Sequence, residues 1–300
     1  MLYDSQNRVN VTVLGNYVLQ VSGSVFRSLF VFILATVFIF SAHADDLSGR
    51  QIMDEVSARH DRPFEFEEQA MVLIDDRGNT ENREVRRYAR EWENGLYRYL
   101  LVFDSPAGVR GVALLTWQNK GASDDQWMHL PAYGREMKRS ADGGKRNYFM
   151  GTDFAFEDMT SEEREKFRYD RQPDETFEIK DETGAVLDTV EGYVVDAYPK
   201  DEELASQTGY QYRRLYVSKD RFFIRRIDFY DRRGRFLKTQ YSWDMEQIEG
   251  DTWRANRILM DNDKLNHQTL IRVNSRDLTE GSVPARMFEQ RWVTSGRHLR

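Results

Sequence analysis

The chain has 300 residues, of which 40% are hydrophobic and 31% charged, and 50 acidic against 43 basic side chains leave a net charge of -7. That balance offers no basic footprint for nucleic acid. The complete lack of cysteine excludes disulfides, thiolate metal sites and a lipid-modified N-terminal cysteine.

Near the N-terminus an apolar run from Leu29 to Phe40 follows Arg27 and ends before Ala42-His43-Ala44. This is the basic, apolar and small-residue order of a secretory signal, and the uncharged stretch is too short to span a bilayer comfortably. Residues 1–44 are therefore expected to be a cleaved signal peptide, with cleavage near Ala44 and a mature chain starting near Asp45. The first 24 residues are unusual for a signal and fit a start site assigned too early, with translation beginning near Val25. About 255 residues remain, enough for one large β domain over residues 45–300.

Ser48 with Gln51 three residues on makes a capping-box pattern, and Ile52, Met53 and Val56 recur at helical spacing towards His60. Pro63 ends that helix. Phe64, Phe66, Ala70, Val72 and Ile74 then fall on alternate positions, the period of a half-buried strand. Turn signals follow at Asp75 to Asn79, Asn94-Gly95, Ser105 to Gly108 and Asn119 to Gly121, with strand-like segments between them. Asn94-Gly95, suited to a type I′ hairpin, joins Glu84–Glu93 to Leu96–Phe103. The pattern predicts an antiparallel meander.

Two segments, Leu100 to Phe103 and Val112 to Leu115, are apolar on both faces. In a sheet that would otherwise show one face to water, something covers the second face: a helical lid, a ligand or plain core. A long irregular stretch then runs from Pro131 to Met159, and loops of that length in compact domains are functional or disordered; its aromatic content argues against disorder. Thr160 with Glu163 repeats the capping-box pattern and predicts a short charged helix from Ser161 to Phe167. Strands resume from Val190 to Tyr198 and continue at Tyr210–Val217, Phe222–Tyr230, Phe236–Met245, Trp253–Met260 and Thr269–Val273. About ten strands result. The segment from Pro284 to Trp292 reads as a last helix or edge strand, with a loose tail beyond it.

Catalysis has little support in the residues. The five histidines, at 43, 60, 129, 267 and 298, form no His-x-x-x-His or His-Glu pair, and no Gly-x-Ser-x-Gly elbow is present. Asp153, Glu157 and Asp158 are close enough in sequence to work as acid and base, but Asp153 and Asp158 read better as turn and capping residues. Trp127, Trp243 and Trp253 read as structural. No enzyme, cofactor or metal site is expected.

The succession Trp127-Met128-His129-Leu130-Pro131, then Arg135, Lys138 and Arg139, then Phe149-Met150-Gly151-Thr152-Asp153-Phe154-Ala155-Phe156-Glu157-Asp158 resembles the periplasmic outer-membrane lipoprotein-sorting proteins, a family with a LolA-like fold. The similarity runs from about Leu47 to about Val293. It implies a mainly β (α+β) chain: one large curved antiparallel sheet forming a half-open barrel, covered by two or three short helices and a long loop. The helix after Ser48 and the segment from Asp142 to Phe167 would be the cover. Leu101, Phe103, Leu115, Trp117, Phe149, Phe154 and Phe156 would line the cavity and its lid, and Arg135, Lys138 and Arg139 its polar mouth.

The function so implied is a monomeric periplasmic carrier of lipid or lipoprotein acyl chains, moving them towards the outer membrane or to and from an inner-membrane exporter of hydrophobic molecules. The competing expectation is an adaptor of a transporter complex that carries nothing. The motifs leave the cargo open.

Overall fold

The computed structural model describes residues 47–93, 95–140 and 146–300. The expected signal peptide, Asn94 of the hairpin turn and residues 142–145 of the expected cover lie outside the described residues. From Leu47 to Arg300 the chain forms one compact unit.

Helix α1 (Gly49–His60) opens the described chain. It starts as its sequence predicts: the Ser48 hydroxyl accepts from the Gln51 amide, and the Gln51 side chain accepts from the Ser48 amide. That exchange satisfies two of the backbone donors a helix start leaves unpaired. Gly49 sits so close to the sheet that a Cβ there would meet the Tyr169 carbonyl oxygen at 2.8 Å.

Thirteen strands follow among the described residues: β1 (Phe64–Ile74), β2 (Thr80–Glu93), β3 (Leu96–Ser105), β4 (Ala113–Trp117), β5 (Asp125–His129), β6 (Met137–Arg139) and β7 (Phe167–Lys180), then β8 (Val186–Pro199), β9 (Tyr210–Ser218), β10 (Ile224–Asp231), β11 (Phe236–Glu249), β12 (Thr252–Asn262) and β13 (His267–Asp277). They make a single sheet in the order β6-β5-β4-β3-β2-β1-β13-β12-β11-β10-β9-β8-β7. Each neighbouring pair is antiparallel. Two meanders thus join where β1 pairs β13, and β6 and β7 remain as separate edges. The sheet is open.

It is also strongly bent. Around Phe149 and Phe154 one apolar cluster gathers Met71, Leu101, Phe103 and Leu114 from β1 to β4 together with Phe229, Met260 and Ile271 from β10, β12 and β13. Helix α1 packs on β7 and β8 and on β12 as well. Strands from both halves therefore face each other across a concave side. Short helices α2 (Glu202–Thr208) and α3 (Gln290–Thr294) complete the chain. This is the expected curved antiparallel sheet with helical cover.

The strands that are apolar on both faces find their second partner within the chain. Leu100, Val102, Ala113 and Leu115 face away from the concave side and pack under Val283, Phe288 and Val293 of the C-terminal segment. Trp117 donates from Nε1 to the Phe288 carbonyl at 2.8 Å and lies edge-on to Trp127, with centroids 4.7 Å apart. The C-terminal tail is tied down rather than loose: Arg86 donates to the His298 carbonyl at 2.8 Å, and the His298 ring meets the Gly111 carbonyl at 3.1 Å.

Two further sequence expectations, the charged helix and the return of strands only at Val190, are corrected. The charged helix after Thr160 is one turn of 3-10 helix at Arg164–Lys166, and the chain then enters β7, whose apolar residues are too sparse for its period to stand out. The β7–β8 hairpin folds over the convex face, where Phe177 and Ile179 cover Val72, Tyr216, Tyr241, Leu259 and Leu270. Its pairing slips between Gln172 and Glu175, beside Pro173, a residue that strands tolerate at bulges. Across from the slip, a Cβ on Gly192 would meet Phe177 Cε1 at 2.4 Å and the Val217 carbonyl oxygen at 2.6 Å.

Candidate functional site

The concave side is roofed by α1 and by residues 148–166. That second cover has almost no regular structure, so side chains fix it in place. Asp153 is buried, and its carboxylate accepts from Thr269 Oγ1 at 2.7 Å and Asn262 Nδ2 at 3.2 Å and meets His267 Nδ1 at 2.7 Å. Lys238 Nζ donates to the Asp153 carbonyl at 2.8 Å and to Asp158 Oδ2 at 2.6 Å. Asp158 also accepts from the Tyr210 hydroxyl at 3.0 Å and from the Ala155 amide at 2.7 Å. Burial raises the Tyr210 phenol well above its ordinary pKa, and Asp158 adds to the rise.

Asp153 and Asp158 of the Gly151–Asp158 motif are thus lid anchors. Asp158 satisfies a loop amide, as its sequence suggests, and also grips β9 and β11, whereas the Asp153 carboxylate meets side chains of β12 and β13 instead of loop amides; sequence spacing reveals neither set of strand partners. Asp158 is bound to Lys238, and Asp153 lies among Thr269, Asn262 and His267. Further along, Gln126 donates to the Phe156 carbonyl at 3.1 Å and Gln118 to the Ser161 carbonyl at 2.9 Å. The cover is stitched to both halves of the sheet.

Beneath it lies a cavity of about 340 Å³, with Val56, Phe154, Met159, Ile227, Ile258 and Ile271 among its apolar walls. Its floor is charged. Glu65, Glu67 and Gln69 share one face of β1 with Met71, and Arg87, Arg254 and Arg276 face them from β2, β12 and β13. Arg254 Nε lies 2.6 Å from Glu65 Oε1 and Arg276 Nη2 2.7 Å from Glu67 Oε1, while Gln69 donates to Glu67 Oε2 at 2.7 Å. Burial alone would raise the Glu65 carboxyl, but Arg254, Arg87 and Arg276 overcome it and hold it below the ordinary carboxylate range. Spread over four strands, these residues meet only through the fold.

Of the apolar residues expected in the cavity, Phe154 lines it. Leu101, Phe103 and Phe149 share its face but fill the space between β1–β4 and the lid, with Phe156 packed against them; Phe103 and Phe149 rings stack at 5.7 Å and Phe149 meets Phe156 edge-on at 5.1 Å. Leu115 and Trp117 belong to the convex face under the C-terminal segment. Their placement is a matter of strand parity, since Leu101 pairs with Leu114 and the side chains of Leu114 and Leu115 point to opposite faces.

Arg135, Lys138 and Arg139 are exposed along the β6 edge and do not line the roofed cavity. Lys138 sits over the Tyr133 ring at 4.1 Å, and Arg139 pairs with Asp125 beside a separate open groove. Among the described residues no three His, Asp or Glu side chains converge as a metal would require.

With this geometry in view, the comparisons with known proteins are direct. A family model described as an uncharacterized protein family matches residues 95–295, more than half of the chain. No curated protein matches the chain. Among solved structures, an outer membrane lipoprotein-sorting protein domain from Vibrio parahaemolyticus is 28% identical, with a TM-score of 0.73 over 82% of this chain and 98% of that one. A DUF1329 family protein from Desulfovibrio piger is 22% identical, with a TM-score of 0.72 over 82% and 97% of the two chains. A LolA superfamily protein from Nitrosomonas europaea is 18% identical, with a TM-score of 0.63 over 82% and 99%. The chain is a member of the family whose model spans residues 95–295, and it has the LolA-like fold of the outer membrane lipoprotein-sorting domains.

Proposed function

We propose that the protein is a periplasmic carrier that holds a lipid acyl chain in the roofed cavity and passes it on to a membrane or another carrier. The observation that carries this reading is the cavity itself: apolar walls enclosed between a bent sheet and a cover that is pinned by side chains rather than built from the sheet. The likeness to a lipoprotein-sorting domain supports it. Secretion through residues 1–44 and action as a monomer beside an exporter belong to the same proposal.

The energetics suit a carrier. Burying a methylene is worth about 0.8 kcal/mol, so ten methylenes give on the order of 8 kcal/mol, which corresponds to roughly micromolar affinity before ordering costs are subtracted. Such a ligand is retained in water and released to a membrane. The volume of about 340 Å³ is at the lower end of the usual range for small-molecule sites, about 300–1,000 Å³. With the cover in place the cavity therefore suits one slender chain, and a triacylated lipoprotein requires the cover to lift.

Native mass spectrometry of protein exported and purified without detergent tests the reading. The expected result is a lipid adduct that is lost in Ile258→Trp, where the indole occupies the cavity. Protein that emerges empty and takes up no acyl chain from added lipid favours the adaptor instead.

A further inference from the structure

The floor of the cavity holds more cation than its walls neutralise. Three guanidinium groups, Arg87, Arg254 and Arg276, face two carboxylates, Glu65 and Glu67. Asp158 also borders the space but is matched by Lys238 behind it. Glu246 reaches Arg276 Nη1 at 3.5 Å only from the rim, with its side chain 53% exposed. His60, the remaining titratable group of the wall, is held neutral by burial, with Arg254 and Arg59 adding to the effect.

Arg254 and Arg276 make shorter contacts. Besides the carboxylates, Arg254 donates to the Trp253 carbonyl at 3.0 Å, and Arg276 to Asn256 Oδ1 at 3.1 Å and the Ala255 carbonyl at 3.3 Å. Arg87 is held by longer contacts: its Nη1 lies 3.4 Å from Glu65 and 3.7 Å from Glu67, which keep its pKa above the ordinary value despite burial, and its guanidinium lies 5.5 Å from the Tyr99 ring centroid. A guanidinium has five N–H donors in a planar fork that matches an oxyanion. The Arg87 side chain is only 23% exposed, so water meets part of its charge and an entering anion can meet the rest.

We propose that Arg87 and the arginines beside it form a headgroup site for an anionic amphiphile, a carboxylate or a phosphate ester, whose tail lies along Ile227, Ile258 and Ile271. The proposal rests on the carrier reading and adds the chemistry of the cargo to it. Glu65 and Glu67 keep Arg254 and Arg276 in place and limit the site to about one negative charge. A neutral lipid fits the walls but leaves the floor uncompensated, and a cationic one is repelled.

The test displaces a neutral naphthylamine dye from the full mature chain, washed free of lipid on a hydrophobic resin, with four ligands of equal chain length: hexadecanoate, hexadecyl phosphate, hexadecanol and hexadecyltrimethylammonium. One or both anions should compete at least about tenfold better than the alcohol, with the ammonium weakest. Whichever anion is tighter assigns the headgroup as carboxylate or phosphate. Arg87→Gln should abolish the preference of the anions over the alcohol, and Arg87→Lys should restore part of it. Equal competition by anions and alcohol in the wild-type chain, which needs no variant, overturns the headgroup site but leaves the carrier. A tenfold preference that survives in folded Arg87→Gln also overturns it. Failure of all four to displace dye overturns the carrier reading as well.

Discussion

Lys238 and Asp158 meet at 2.6 Å with side chains 1% and 2% exposed, so neither charge can fall back on water if the other is removed. Removing one partner of a buried pair costs about 3–5 kcal/mol. Lys238→Met should therefore lower unfolding stability by that amount in urea melts, and Lys238→Met with Asp158→Asn should recover much of it. A single-variant loss below about 1 kcal/mol, the scale of an exposed pair, contradicts the anchoring role. His60 gives a second test. The Trp253 amide donates to its Nδ1 at 3.2 Å, which places the proton on Nε2, 3.1 Å from the Arg221 carbonyl. Burial, aided by Arg254 and Arg59, lowers its pKa from 6.5 to about 4. Between those values the unfolded chain binds the proton and the folded chain does not, so stability falls as pH drops through that window and then levels off. The loss reaches up to about 3 kcal/mol. Urea melts at pH 7 and pH 4 should show a smaller decline for His60→Gln than for the wild-type chain; equal declines rule out His60 as the source.

At the scale of elements, the β7–β8 hairpin depends on Gly192, where added atoms meet both a ring and a backbone oxygen. Gly192→Ala should cost about 1–3 kcal/mol, as overpacking does, and should speed hydrogen exchange in β7; an unchanged melting curve contradicts the close approach. This strand marks where sequence pattern runs out. Helix α1 is legible because its capping box is local, and β1 because its alternation is regular. In β7, Phe167 and Tyr169 are separated from Phe177 and Ile179 by a polar stretch through Pro173, and the bulge there turns the second pair to the opposite face. The same limit applies to the site. That Leu100 to Phe103 and Val112 to Leu115 are covered on both faces can be read from composition, but which face meets the lid is set by register. The C-terminal segment that claims Leu115 and Trp117 arrives from more than a hundred residues away. Phe154 could be placed from its loop; Glu65, Glu67, Arg87, Arg254 and Arg276 read singly as solvated strand charges, and only the bend brings them under a roof.

For the whole molecule, the bent sheet divides its concave side into two regions. Beneath β1–β4 the chain fills the space with Leu101, Phe103 and Phe149. Towards β10–β13 it leaves a volume of about 340 Å³ above an arginine-rich floor. The solid half gives the lid a fixed seat, and the open half is where a chain can enter. Methyl NMR with a doxyl-labelled fatty acid locates the ligand most directly. Binding should broaden the Ile227, Ile258 and Ile271 methyls and spare Leu115 and Val283 on the far face. Broadening spread over exposed Val186 and Leu187 instead, or none at all, would contradict an acyl chain held under the lid.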